Sequence, residues 1–169
     1  MRHAVVLIVL FTLGLTAAAR AAELQTLTAD VDGTAFESDD DGISFIPVMG
    51  NFSLAASTKG ASAWPPPTTR IDRLSIVCRP YDEVETKTFS STDFQNSGCD
   101  VTFAVGTKSM GGDPDASYRL DKDSPNNQLA ITHAAGKTIS GTFQFDLTDD
   151  AGKSVLIRNG RFAAEDRQY

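Results

Sequence analysis

Apolar and polar residues alternate in short runs along most of the chain. A period of two is the repeat of a half-buried β-strand, whose successive side chains point to opposite faces of a sheet. Residues 24–31 alternate in part and stop at Asp32-Gly33, a pair suited to a two-residue hairpin turn. Residues 34–37 form a second short run, and an acidic turn follows over residues 38–42. Residues 43–48 and 51–55 read as strands split by Met49-Gly50. Residues 71–78 place Leu74, Ile76 and Cys78 on one face, and residues 99–105 do the same with Cys99, Val101, Phe103 and Val105. Weaker runs occur at 85–89 and 117–120, and residues 128–133 alternate Leu129, Ile131 and His133. Residues 137–147 carry the clearest pattern, with Ile139, Gly141, Phe143, Phe145 and Leu147 facing one way. Residues 154–158 form a last strand, and Asn159-Gly160 reads as one more turn.

Two stretches break the alternation. Residues 59–69 hold Gly60, Trp64 and the run Pro65, Pro66, Pro67. Proline cannot donate to a sheet ladder, so this segment runs outside the sheet. Residues 110–116, with Gly111, Gly112 and Pro114, form a second loop. Helical periodicity is nearly absent. The expected fold is all-β: a single antiparallel β-sandwich or flattened barrel of about nine or ten short strands. Half-polar strands favour antiparallel pairing.

The amino terminus changes where this domain is expected to work. Met1, Arg2 and His3 precede an apolar run from Ala4 to Leu15, and small residues close the segment. A basic tip, an apolar centre and an A-x-A site are the parts of a cleavable export signal. The run is short of the ~20 residues that span a bilayer comfortably. Residues 1–21 are thus expected to be a signal peptide, with cutting after Ala21 or, alternatively, after Ala19. Residues 22–169 form the single domain. No cysteine stands near the cut, so the expectation is a soluble protein of the periplasm or the medium with no membrane anchor after cleavage.

Composition then narrows the partners. The chain has 15 basic and 22 acidic residues. Losing Arg2 and Arg20 with the leader moves the formal charge from −7 to −9. Nucleic acid is excluded as a partner, because it demands clustered Lys and Arg. A cationic protein partner is permitted. The two cysteines, Cys78 and Cys99, are expected to pair in an oxidising compartment, and the bridge links neighbouring or facing strands. A metal site built on cysteine or histidine needs more ligands than these two cysteines and His133. No cofactor is expected.

The final third carries a resemblance. Residues 128–132 read QLAIT, residues 139–145 ISGTFQF and residues 154–162 SVLIRNGRF. This spacing resembles a family of small exported bacterial all-β envelope proteins, often lipoproteins, of unknown function. Their carboxyl end follows "iSGTFxF … V-x-I-x-N-G-x-F". Residues 27–36, LTADVDGTAF, look like that family's first hairpin. The chain departs from the pattern by its lack of a lipidation cysteine and by the Cys78 and Cys99 pair. The resemblance implies an all-β envelope protein and carries over no catalytic residue.

Candidate chemistry is sparse. His133 is the only histidine beyond the leader, and no G-x-S-x-G nucleophile elbow accompanies it, so a structural role is expected. Asp39, Asp40 and Asp41 offer oxygen ligands that could hold calcium, though adjacent acids in a turn are usually only solvated. Asp146, Asp149 and Asp150 raise the same possibility. Paired carboxylates could serve a glycosidase. Trp64 is expected to pack down and anchor its proline loop; the alternative is an aromatic platform for sugar or peptide. The leading expectation is a non-enzymatic exported β-domain that binds another molecule or plays a structural part. The alternatives are a periplasmic inhibitor or immunity protein against a toxin or hydrolase, and a small carboxylate-dependent hydrolase.

Overall fold

The structure is a computed structural model that describes residues 25–82, 86–107 and 113–168. The expected leader, residues 1–21, lies outside the described residues, as do parts of the runs at 85–89 and 110–116. Eleven strands form one antiparallel sheet. In chain order they are β1 (Thr26–Val31), β2 (Thr34–Ser38), β3 (Ile43–Val48), β4 (Asn51–Ser57), β5 (Ile71–Cys78), β6 (Lys87–Phe89), β7 (Cys99–Thr107), β8 (Ala116–Leu120), β9 (Gln128–Ala135), β10 (Thr138–Thr148) and β11 (Ser154–Glu165). Their spatial order is β2-β1-β11-β10-β8-β7-β5-β4-β3, with β9 and β6 branching from β10. The sheet curls into a nearly closed barrel of nine strands, which bears out the all-β expectation.

β10 is the fork. Its first part pairs with β9, from Thr138 opposite Ala135 to Gln144 opposite Gln128. Its last two residues pair with β8. The alternation read from the sequence places the core: Ile139, Phe143, Phe145 and Leu147 are buried, and so are Leu74, Ile76, Val101 and Phe103. Phenylalanines tie the walls together. Phe36 meets Phe103 edge-on at 5.8 Å, Phe52 lies 6.4 Å from Phe89, and Phe143 stacks on Phe145 at 5.4 Å. Such contacts add to the burial of ring area that dominates a core.

The seam between β2 and β3 has a simple cause. Nine strands joined by eight antiparallel steps leave the first and last running the same way. β2 and β3 follow one another through a 3-10 turn, Asp40–Gly42, and no antiparallel ladder can close between them. Side chains bridge the gap instead. Gln25 is buried; its Nε2 donates to the carbonyls of Asp40 (3.2 Å) and Ile43 (3.4 Å). Its Oε1 accepts the Glu165 amide at 2.9 Å. Arg167 grips both oxygens of Asp40 at 2.8 Å.

Two local features depart from the alternation. Asn159-Gly160 is not a turn. It is a bulge within β11, opposite the register shift between Phe143 and Phe145, and Asn159 takes a φ of 54°. The bulge absorbs one extra residue and lets the strand run on to Glu165. A short helix, α1 (Ser91–Gln95), interrupts the strands. Its Ser90 and Asp93 form a capping box, and Phe94 inserts into the core. Among the described residues no helix is long and apolar enough to cross a membrane.

Cys78 and Cys99 stand directly opposite each other in the β5–β7 ladder and form a disulfide, with Cα atoms 4.1 Å apart. The bridge therefore links neighbouring strands. Both residues are buried, as their strand faces imply.

Candidate functional site

The loop between β4 and β5 is built at its base and bare at its tip. Thr58 Oγ1 accepts the Asp72 amide at 2.9 Å, and the Thr58 amide donates to the Asp72 carbonyl at 2.9 Å. Asp72 is buried; its Oδ1 accepts the Gly106 amide at 3.0 Å and its Oδ2 pairs with Arg70 at 2.8 Å. Lys59 donates its amide to the Glu37 carbonyl at 2.7 Å, and the Gly60 amide donates to Asp39 Oδ2 at 3.0 Å.

Trp64 sits at the tip with 89% of its surface exposed, which overturns the expectation that it packs down. The physical reason lies at the base. With both ends of the loop held by Thr58, Asp72 and Asp39, the loop needs no aromatic anchor. The three prolines that follow carry no N–H to draw the tip toward the sheet.

The acidic turn does not gather its carboxylates. Asp39 points one oxygen at Gly60, while its Oδ1 is buried with no partner among the described residues. Asp40 is committed to Arg167 and to the Gln25 amide at 2.8 Å. The Arg167 hydrogen bonds, then that from Gln25, hold its carboxyl below the ordinary carboxylate range. Asp41 is exposed. Among the described residues no group of three His, Cys, Asp or Glu is placed to hold a metal ion.

The other candidates are likewise dispersed. His133 is exposed on β9, opposite Ser140; the register shift between Ser140 and Gly141 turns it out of the line of Leu129 and Ile131. Asp149 spends its Oδ1 on the amides of Ala151 (2.9 Å) and Lys153 (2.8 Å) inside its own turn. Asp146 is the centre of a polar network that sequence reasoning missed. Its Oδ2 accepts Ser124 Oγ at 2.6 Å and Asn126 Nδ2 at 2.9 Å, and its Oδ1 pairs with Arg158. Burial pushes the Asp146 carboxyl up, but the Ser124, Asn126 and Arg158 donors together hold it below the ordinary range. The network fastens residues 121–127 to the barrel wall, because Asn127 also bridges the Asp146 amide and the Asp121 carbonyl.

Two surface features complete the picture. The β3–β4 turn leaves Val48 and Met49 exposed, Met49 almost wholly. A signal for this existed: a two-residue turn forces its central side chain outward. An open depression of about 250 Å³ lies along β1 and β2, lined by Thr28, Ala29, Asp30, Ala35, Phe36, Glu37 and Asn159. Comparison with protein-family models, curated proteins and solved structures finds no match to this chain.

Proposed function

We propose that this chain is exported and acts in the periplasm or the medium as a non-enzymatic β-domain that binds a protein partner. Exposure of Trp64 carries the reading. An indole carries a large apolar area, and Trp is enriched at the centres of protein interfaces. Here it stands on a loop whose base is rigidly tied and whose tip is rich in proline, so little freedom is lost on docking. The export reading is supported by the basic and apolar start of the chain and by the Cys78–Cys99 bridge, which suits an oxidising compartment. Membership of the envelope family that the final third resembles belongs to the same proposal. The net charge of −7 suits a basic partner, such as a hydrolase or toxin to be blocked.

The binder is preferred to a hydrolase because the carboxylates with shifted protonation are each spent on structure. Asp40 clamps the tail, Asp93 caps α1 and Asp146 holds residues 121–127. The test places a photo-crosslinking amino acid at position 64 and, as a control, at position 133 in the exported protein. A single protein adduct specific to position 64 is expected. Equal or absent labelling at the two positions overturns the proposed role of Trp64. Recovery of the chain in the cytoplasm with residues 1–21 still attached overturns export.

A further inference from the structure

Among the described residues the nine-strand path ends at β2 and β3, apart from the short branch that ends at β6, and these two edges are treated differently. In the β3–β4 hairpin, Met49 and Gly50 both take positive φ, and Val48 and Asn51 flank the turn. Pairs in an antiparallel ladder alternate between hydrogen-bonded and non-hydrogen-bonded. Counting back from Val48, the backbone groups of Ile43, Phe45 and Pro47 point away from β4. Pro47 has no N–H to offer there. A proline on the outer edge is a recognised way to blunt it.

β2 has no such protection. Asp32 and Gly33 form the turn with φ of 50° and 80°, and Val31 and Thr34 flank it. The same count turns the backbone groups of Ala35 and Glu37 away from β1. Among the described residues, the Lys59 amide on the Glu37 carbonyl is the one backbone hydrogen bond made to β2 outside its ladder with β1. The Ala35 N–H, the Ala35 carbonyl and the Glu37 N–H remain on the edge. Thr34, Ala35 and Glu37 are exposed, and the strand contains neither Lys nor Pro. The open depression runs beside it, lined in part by Asp30, whose Oδ1 also accepts the Gly33 amide at 2.7 Å, and by Glu37.

We propose that the β2 edge accepts an extended, basic segment of a partner protein as an added strand. Main-chain hydrogen bonds to Ala35 and Glu37 would hold it, and alternate side chains would choose it. A Lys or Arg opposite Ala35 shares the face of Asp30 and lies diagonal to Glu37, where opposite charges attract. Among the described residues three cations stand near this edge, and Lys59 meets it through its amide on the Glu37 carbonyl. Arg158 is turned into the Asp146 network, and Arg161 lies two strands from Glu37, across Thr28. A second copy of this chain is a poorer occupant, because pairing β2 with β2 brings Glu37 carboxylates together between two chains of net charge −7. The inference does not depend on Trp64.

Amide hydrogen exchange by NMR tests it, with an acetylated decapeptide of alternating Lys and Val as probe and its Glu and Val counterpart as control. The Lys peptide should slow exchange at Ala35 and Glu37 by about tenfold, and the Glu peptide should not. Trp64→Ala should keep the effect and Ala35→Pro should abolish it. Glu37→Lys, which leaves the backbone intact, should reverse the preference between the peptides. Protection at other strands, equal protection by both peptides, or none at millimolar Lys peptide overturns the proposal. So does protection of the same amides without peptide that rises with protein concentration, since that makes a second copy the occupant.

Discussion

Replacing Asp146 with asparagine keeps the shape of the side chain and removes its charge. In the native protein the carboxylate accepts Ser124 Oγ at 2.6 Å and Asn126 Nδ2 at 2.9 Å and faces the Arg158 guanidinium. Only 16% of the Asp146 side chain and 30% of the Arg158 side chain are accessible to solvent. A hydrogen bond to a charged group contributes about 1.5–3 kcal/mol, and a half-buried guanidinium left with only the Phe145 and Ile157 carbonyls as acceptors adds to the loss. The amide oxygen can still serve one donor, so the net cost should be about 2–4 kcal/mol. Against a typical total of roughly 5–15 kcal/mol, this is a large fraction. The acid limb gives a second readout. The folded carboxyl lies below its unfolded value of about 3.9, so the unfolded chain takes up the proton first as pH falls. The stabilisation is therefore present above pH ~4 and is lost as pH drops through the lowered folded value. Urea unfolding of both proteins from pH 7 down to pH 3 measures both effects. The variant should be weaker at pH 7 and should lose stability less steeply in acid. A residual slope remains, since Asp40 and Asp93 are also held low by their donors. A variant within about 0.5 kcal/mol of the parent at pH 7, or with the same acid slope, refutes the reasoning.

Three further outcomes are expected. Replacing both Cys78 and Cys99 by alanine should cost about 3 kcal/mol from lost loop closure over a separation of 21 residues, read from urea midpoints; thiol titration of the unfolded, unreduced parent should find no free thiol. Gly160→Ala should cost about 1–3 kcal/mol, because a Cβ there runs into the ring of Phe143; Phe143→Leu in the same chain should recover part of it in the same melts. His133→Ala should stay within about 0.5 kcal/mol of the parent in thermal unfolding, as an exposed strand position with no core contact.

Strands were legible because a sheet with one wet face writes its burial into every second residue. The run from Ile139 to Leu147 is the plainest case, and its buried positions match the reading. Turns were legible where two residues must both take positive φ, as at Asp32-Gly33. The same chemistry misled at Asn159-Gly160, because a bulge and a turn ask for the same backbone freedom and only the partner strand decides between them. Helix α1 left a signal in its Ser90 and Asp93 capping box, but five residues are too few to show a period. Trp64 was misplaced because its exposure depends on hydrogen bonds between Thr58, Asp72, Gly106 and Asp39, which are far apart in sequence. The Asp146 network was hidden for the same reason: its donors come from residues 124, 126 and 158.

Strand count connects the fold to its free edge. An even antiparallel ring can close on itself and abolish its edges, whereas nine strands leave a join between parallel neighbours. Closure must then come from outside the ladder. Gln25, Asp40 and Arg167 supply it at one corner, where the tail and the turn before β3 are drawn together. That clasp reaches only the end of β2, where Lys59 also covers Glu37. The stretch from Thr34 to Phe36 lies beyond its reach. Proline at position 47 shields β3, and among the described residues β2 has the charge of Glu37 and the Lys59 amide on the Glu37 carbonyl in its place. A single carboxylate repels another acidic edge but attracts a basic one. On the proposed reading, the seam that an odd strand number imposes disfavours pairing with a second copy and favours a partner of opposite charge.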